Sequence, residues 1–195
     1  MINPWHLPTR AQIGGREYAL HCDYRDVLEM FSYFQDPDLP EYLRWRIALA
    51  LFYEEQIPEE HRQEAMAYLA RFLNGGEDAP QRPSARLLDW QQDAQIIVAD
   101  INKVAGQEIR SLPFVHWWTF LSWFHAIGEG QLSTLISLRQ KLQKGKKLED
   151  WEKSYYRENK QKVDLSPHYS REELDYRAEL ETLLGEAPLP IHNSK

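Results

Sequence analysis

Residues 112–127 constrain the fold of this chain more than any other stretch. They hold three of the seven tryptophans and three of the seven phenylalanines. Pro113 suits the first turn of a helix and Gly128 suits its end, so the stretch predicts a helix between them. That helix would be apolar around most of its circumference, with Phe114 on its buried face. It is too short to span a membrane, and it predicts either a central core helix or a helix that also serves a protein interface.

The composition is that of an ordinary globular chain. It has 195 residues, of which 43% are hydrophobic and 27% charged, enough for one domain with a substantial core. The formal net charge of −7 argues against nucleic-acid binding by the chain as a whole. Cys22 is the single cysteine, which excludes an intramolecular disulfide and a cysteine-based zinc site. We find no secretory signal and no transmembrane stretch, and therefore expect a cytoplasmic protein.

Local signals predict a mainly α-helical fold, a single-domain bundle over residues 1–165 with one small β-hairpin. Gly14-Gly15 supplies the positive φ angles of a tight turn within residues 10–22. Asp23 is predicted to cap the first helix. Later helices are predicted to begin at or after Pro40, Pro58 and Ser84, the last of these running to residue 105.

The C-terminal part, residues 166–195, is predicted to contain one more helix and a loose tail. Ser170 and Glu173 have the spacing of a capping box, which predicts that the helix begins at this point. Residues 186–195 are expected to be the loose tail. Before this part, residues 151–162 predict one polar helix with an aromatic patch.

Motifs for catalysis are missing from the sequence, so we expect neither an enzyme nor a cofactor. No nucleotide-binding loop or nucleophile elbow occurs, and no two histidines have the i, i+4 spacing of a helical metal site. Asp89 and Asp93 do have that spacing, and paired carboxylates could transfer protons or hold a hard cation. We interpret them instead as part of a solvated helix face. A catalytic role for Cys22 is disfavoured because its neighbours in sequence do not converge on one point.

Charge is distributed unevenly along the chain. Residues 139–162 carry nine basic and four acidic residues, a net charge of +5 in a chain whose total is −7. Three interpretations remain open: a solvated arm, a surface for a protein partner, and a surface for nucleic acid. The candidate partner-binding residues are Arg139, Lys141, Lys144, Lys146, Lys147, Trp151, Tyr155 and Tyr156.

Several short runs resemble a small phage protein family commonly called gene product fifteen, found in phages and prophages of Gram-positive bacteria. The similarity covers about residues 10–160 and is concentrated at residues 89–93 and 114–120. It continues at Ile96-Ile97, Leu138-Arg139 and Tyr155-Tyr156, and in the segment that follows the hairpin. The residues that carry the signature are Asp89, Asp93, His116, Trp117, Trp118 and Phe120.

The resemblance implies a non-enzymatic role in building phage tails. Members of the family lie in tail-gene clusters, which implies a tail assembly chaperone that holds the tape measure protein in the cytoplasm of the bacterial host. The resemblance brings no catalytic residue and implies a structural role for the signature residues. A homo-oligomer is compatible with it, and a membrane is not expected. The alternative function is a head–tail connector or another structural component that contacts nucleic acid through residues 139–162.

Overall fold

The computed structural model describes residues 5–78 and 86–176. Strands β1 (Arg10–Ile13) and β2 (Arg16–Ala19) pair antiparallel at its start. Gly14 and Gly15 in the turn have φ angles of 56° and 77°. Positive φ at both central residues is what the tightest hairpin turns require, and few residues other than glycine adopt it without cost. The predicted hairpin is therefore confirmed.

Helices make up most of the remaining described residues, which confirms the mainly α-helical fold. The short helical segment at residues 171–176 follows the last of the eight numbered helices. These are α1 (Tyr24–Gln35), α2 (Glu41–Phe52), α3 (Arg62–Leu73), α4 (Ala94–Ala105), α5 (Trp117–His125), α6 (Gln131–Gln143), α7 (Asp150–Glu158) and α8 (Lys160–Val163).

Side chains cap several of these helices at the positions that the sequence predicts. Asp23 accepts a hydrogen bond of 2.9 Å from the backbone N–H of Arg25 and so caps α1. At residue 170 the hydroxyl of Ser170 accepts the N–H of Glu173, and the Glu173 carboxylate accepts the N–H of Ser170 at 2.8 Å. This reciprocal pair is the predicted capping box. The predicted tail at residues 186–195 lies outside the described residues.

Two predicted helix starts are wrong. The fourth helix begins at Ala94 instead of residue 84, because the Asp89 carboxylate accepts the N–H groups of Gln91 and Gln92 and holds this segment in a turn. Residue 84 itself lies outside the described residues. The aromatic helix begins at Trp117 instead of Pro113, so Phe114 precedes it and is 55% exposed.

The predicted polar helix over residues 151–162 is interrupted. Asn159 has φ −120° and ψ 26°, outside the helical region, and it separates α7 from α8. α7 therefore ends at Glu158. Val163 at the end of α8 is buried with Leu135 and Leu138 of α6 in a small apolar cluster.

The main core lies where α1, α2, α3 and α5 meet the hairpin. Its largest fully buried side chains include Trp117, Phe52, Phe72 and Tyr18. α1 and α5 begin side by side, because Asp23 and His116 form an isolated antiparallel bridge. The predicted central role of the aromatic helix is therefore confirmed for its residues from Trp117 onward.

Candidate functional site

The six signature residues are all in the interior. Their exposed fractions do not exceed 6%: the residues are Asp89, Asp93, His116, Trp117, Trp118 and Phe120. A side chain that solvent cannot reach cannot contact a partner directly. These residues hold the fold together, and a surface for a partner has to be sought elsewhere.

The two signature tryptophans stabilise the end of α3 as well as the core. The indole N–H of Trp117 donates to the carbonyl of Leu73 at 3.0 Å, and that of Trp118 donates to the carbonyl of Phe72 at 2.9 Å. The last carbonyls of a helix receive no N–H donor from within the helix, so they need donors from outside it. The aromatic helix therefore both packs against α3 and caps it.

His116 caps the aromatic helix in its neutral form. Its Nδ1 accepts the backbone N–H of Trp118 at 3.0 Å, which requires that Nδ1 carry no proton. Its Nε2 then carries the proton and donates to the carbonyl of Pro8 at 3.1 Å. Burial lowers the pKa of His116, and the hydrogen bond to Pro8 opposes that effect only in part.

Asp93 is buried and paired, which corrects the interpretation of Asp89 and Asp93 as a solvated face. The guanidinium of Arg139 binds both carboxylate oxygens of Asp93, at 2.6 and 2.8 Å. Its remaining N–H groups donate to the carbonyls of Leu87, Lys162 and Val163. Arg139 is only 5% exposed, so its assignment to a partner-binding surface is also wrong.

Asp89 fastens the segment after α8 to the segment before α4. Burial alone would raise the pKa of Asp89, but the N–H groups of Gln92 and Gln91 and the side chains of Arg86 and His168 outweigh it and lower that pKa. The ring of His168 lies 3.0 Å from the carboxylate, and Arg86 forms an ion pair with it. We call Arg86, Asp89, Gln92 and His168 the polar latch.

The rest of the predicted basic surface is divided by internal contacts. Lys141 donates to the buried carboxylate of Glu152 at 2.6 Å, and Tyr156 donates to Asp164 at 2.9 Å. Tyr155 is half-buried against the cluster around Leu135. The exposed members are those of the α6–α7 loop and the start of α7: Lys144, Lys146, Lys147 and Trp151.

An open apolar groove lies between α2 and α3. Tyr42, Trp45 and Leu49 follow one line along α2, at positions i, i+3 and i+7, and Met66 of α3 faces them across the groove. Tyr42 is 64% exposed, although it is a large aromatic side chain. The groove has a volume of about 630 Å³ and is completed by charged side chains: Glu41, Arg46 and Arg62.

The groove continues beyond Leu49 into a second concavity of about 360 Å³. The two share Leu49, Arg46 and Arg62, so together they extend from Glu41, the first residue of α2, to Ile57 in the segment after that helix. Arg62 pairs with Glu59 at 2.8 Å. We call the first part, defined by Glu41, Tyr42, Trp45, Arg46, Leu49, Arg62 and Met66, the α2–α3 groove.

A model of the bacteriophage Gp15 protein family matches residues 6–165. The chain belongs to this family. It is thus a structural or morphogenesis protein of a bacteriophage, as the resemblance predicted. No curated protein and no solved structure matches the chain. The family match ends at residue 165, so the polar latch and the helical segment at residues 171–176 include residues beyond it.

Sequence reasoning did not identify the groove of this Gp15 family protein. The second helix has many apolar residues, and three of them, Ala48, Leu49 and Phe52, are buried in the core. The signal that could have shown the groove is an apolar pattern that covers more than one face of α2, from Tyr42 to Phe52. A helix of that kind has one face for the core and a second for another contact.

Cys22 of this Gp15 family protein is buried in the core. Burial raises the pKa of the Cys22 thiol to about 12, so the thiol stays protonated at neutral pH. No group of three or more histidine, cysteine or acidic side chains suitable for a metal ion occurs among residues 5–78 and 86–176. In the same ranges, no helix is long and apolar enough to cross a membrane.

Proposed function

We propose that this Gp15 family protein is a tail assembly chaperone that binds the tape measure protein in the cytoplasm of the bacterial host, without catalysis. The observation that carries the proposal is the α2–α3 groove, whose apolar lining runs from exposed Tyr42 through half-buried Trp45 to buried Leu49. Grooves of this form receive amphipathic helices through anchors spaced at i, i+3 or i+4, and i+7. The family's place in tail-gene clusters implies the tape measure protein as the partner. We expect that partner to be a long helix with an apolar seam.

The net charge of the chain fits this role. A complex that shields the apolar seam of a long helix must itself remain soluble, and a net charge away from zero favours that. The chain carries a formal charge of −7 at pH 7. The α2–α3 groove itself has Arg46 and Arg62 on its border, so an incoming helix with acidic side chains beside its apolar seam would find matching charges there.

Co-expression with the neighbouring tape measure protein, followed by pull-down, tests the proposal. Tyr42→Asp should abolish co-purification, because it places a charge on the exposed end of the groove. Loss of one such anchor is expected to weaken binding by about 2 kcal/mol or more, roughly 30-fold. The fold should survive, since Tyr42 is 64% exposed.

Trp151→Asp is the matched control, since Trp151 is an exposed aromatic of similar accessibility in the basic segment. It should bind the tape measure protein as well as the native chain does. Loss of binding in Trp151→Asp but not in Tyr42→Asp would reject the groove and place the partner on the α6–α7 loop. Unchanged binding in both variants would also contradict the proposal.

The second candidate function is a connector component that contacts nucleic acid through residues 139–162. Exposed Lys144, Lys146 and Lys147 beside Trp151 favour it. The buried ion pair of Arg139 and the contact of Lys141 with Glu152 remove two of its cations from that surface. If it holds, the protein shifts DNA in a gel with a steep dependence on salt.

A further inference from the structure

The C-terminal residues of the chain lead toward the α2–α3 groove. The polar latch holds the segment after α8: Gln92 accepts the N–H of Ser166 at 2.9 Å, and Arg86 donates to its carbonyl. Five residues later, the N–H of Arg171 donates to the carboxylate of Asp38 at 2.7 Å. The helical segment that starts here therefore begins beside the turn between α1 and α2.

That turn is next to the open end of the groove. Asp38 precedes Glu41 and Tyr42, the first residues of the groove, by three and four positions. Residues 170–176 already share a concavity with Pro37. Nineteen residues follow Tyr176. At a helical rise of 1.5 Å per residue, about seven of them match the length of groove between Tyr42 and Leu49.

The sequence of this tail has the pattern of a helix with one apolar face. Apolar side chains recur at i, i+4, i+7 and i+8, namely Tyr176, Leu180, Leu183 and Leu184. Residues 177–187 contain three carboxylates and one arginine, a net charge of −2. Gly185 and Pro188 close the pattern. This sequence, if helical, would present an apolar face bordered by acidic side chains.

The groove offers the complementary arrangement. Its floor is apolar, and its border carries Glu41, Arg62, which is paired with Glu59, and Arg46. Arg46 is exposed, and no carboxylate among residues 5–78 and 86–176 pairs with it. An acidic amphipathic helix would cover Tyr42 and place carboxylates near Arg46.

We propose that the C-terminal tail of this chain, residues 177–187, binds in the α2–α3 groove with Leu180, Leu183 and Leu184 against its floor. The regulatory part of this proposal rests on the proposed function. In that part, the tail occupies the tape measure site until the partner displaces it. A covered groove would keep the apolar surface from associating with other proteins before the partner is made.

Hydroxyl-radical footprinting of the full-length chain tests the proposal without any partner. The native chain is compared with the triple variant Leu180→Asp/Leu183→Asp/Leu184→Asp, and the oxidation rates of Tyr42 and Trp45 are measured. The charges should release the tail, so both side chains should oxidise several-fold faster in the variant. Trp151, far from the groove in sequence and 56% exposed, is the internal reference and should not change.

Leu189→Asp is the matched control, because Leu189 follows Pro188 and lies outside the apolar pattern. It should leave the oxidation of Tyr42 as slow as in the native chain. Equal rates in the native chain and the triple variant would overturn the proposal. The proposal would also be overturned if the oxidation of Tyr42 became faster when the native chain is diluted. A second copy of the chain would then be what covers the groove.

The test separates this inference from the proposed function. Protection of Tyr42 by the tail would stand even if the tape measure protein failed to co-purify. If both proposals hold, the triple variant should bind the tape measure protein more tightly than the native chain, since the partner no longer competes with the tail.

Discussion

His116, a single residue, couples the stability of the fold to pH. Burial lowers its pKa in the folded state, and the unfolded state keeps the ordinary value of about 6.5. The unfolded chain therefore binds the proton first as the pH falls. The stability that neutral His116 contributes is complete above about pH 6.5 and is lost as the pH falls from there toward the lower folded-state pKa.

His116→Asn should remove this pH dependence while keeping a side chain that can cap α5. We expect the native chain to lose more unfolding free energy than the variant between about pH 7.5 and pH 5, the range that contains the ordinary histidine pKa. Urea unfolding at the two pH values measures the difference. His125→Asn, at an exposed position near the other end of α5, is the control and should follow the native chain. Parallel losses in the native chain and His116→Asn would contradict the prediction.

The sequence predicts side-chain hydrogen bonds correctly where the two bonded residues are close in the chain. The Asp23 cap and the Ser170–Glu173 capping box involve residues two or three positions apart, so the local pattern contains both partners. Asp93 and Arg139 are 46 positions apart, and no local pattern indicates that they meet. Their charges therefore suggested two exposed surfaces where there is one buried pair.

Among the elements, Arg139 of α6 fixes the start of α4 and the end of α8. Removing it leaves Asp93 as a buried carboxylate without a cation, which costs about 3–5 kcal/mol. Arg139→Met should therefore lower the free energy of unfolding by that amount in urea titrations. Arg139→Lys should recover only part of it, because one ammonium group cannot replace a guanidinium that donates to four residues.

Arg157→Met is the matched control for this prediction, since Arg157 of α7 is exposed. Its effect should stay within about 0.5 kcal/mol, as is usual for surface substitutions. A loss below about 1 kcal/mol in Arg139→Met would contradict the prediction.

Boundaries of elements were harder to predict than their existence. Pro113 has the residue type that favours a first helical turn, yet the helix begins four residues later because His116 supplies the cap. The same kind of local bond, from the Asp89 carboxylate to Gln91 and Gln92, delays α4. In both places a side-chain acceptor near the chain's own N–H groups outweighed the periodicity of apolar residues.

For the whole molecule, the aromatic helix is the point on which the fold depends. Trp118 is 6% exposed, packs beside Phe72 and donates to that residue's carbonyl. Trp118→Ala should cost about 3–5 kcal/mol, a large part of the 5–15 kcal/mol that stabilises a typical domain. We expect loss of cooperative thermal unfolding, measured by circular dichroism. A variant that stays well folded and merely fails to bind would contradict this.

Trp118→Phe is the companion variant, because it keeps an aromatic ring and removes only the indole N–H. The carbonyl of Phe72 also accepts the N–H of Gly75 at 3.1 Å, so it keeps one donor. The variant should therefore fold and should be destabilised less than Trp118→Ala. Equal losses in the two variants would mean that the hydrogen bond, and not the packing of the ring, carries the contribution of Trp118.

The bridge between Asp23 and His116 has a consequence for how the chain folds during its synthesis. The first helix cannot acquire this neighbour until the ribosome has added 93 residues after Asp23, the last of which is His116. At about 5–20 residues per second, that delay is roughly 5–20 seconds. During it, the hairpin and the first three helices have emerged without the tryptophans that complete their core. The newly made N-terminal half therefore exposes, for a time, apolar side chains that are buried in the complete fold, and slowing translation should increase the fraction that aggregates.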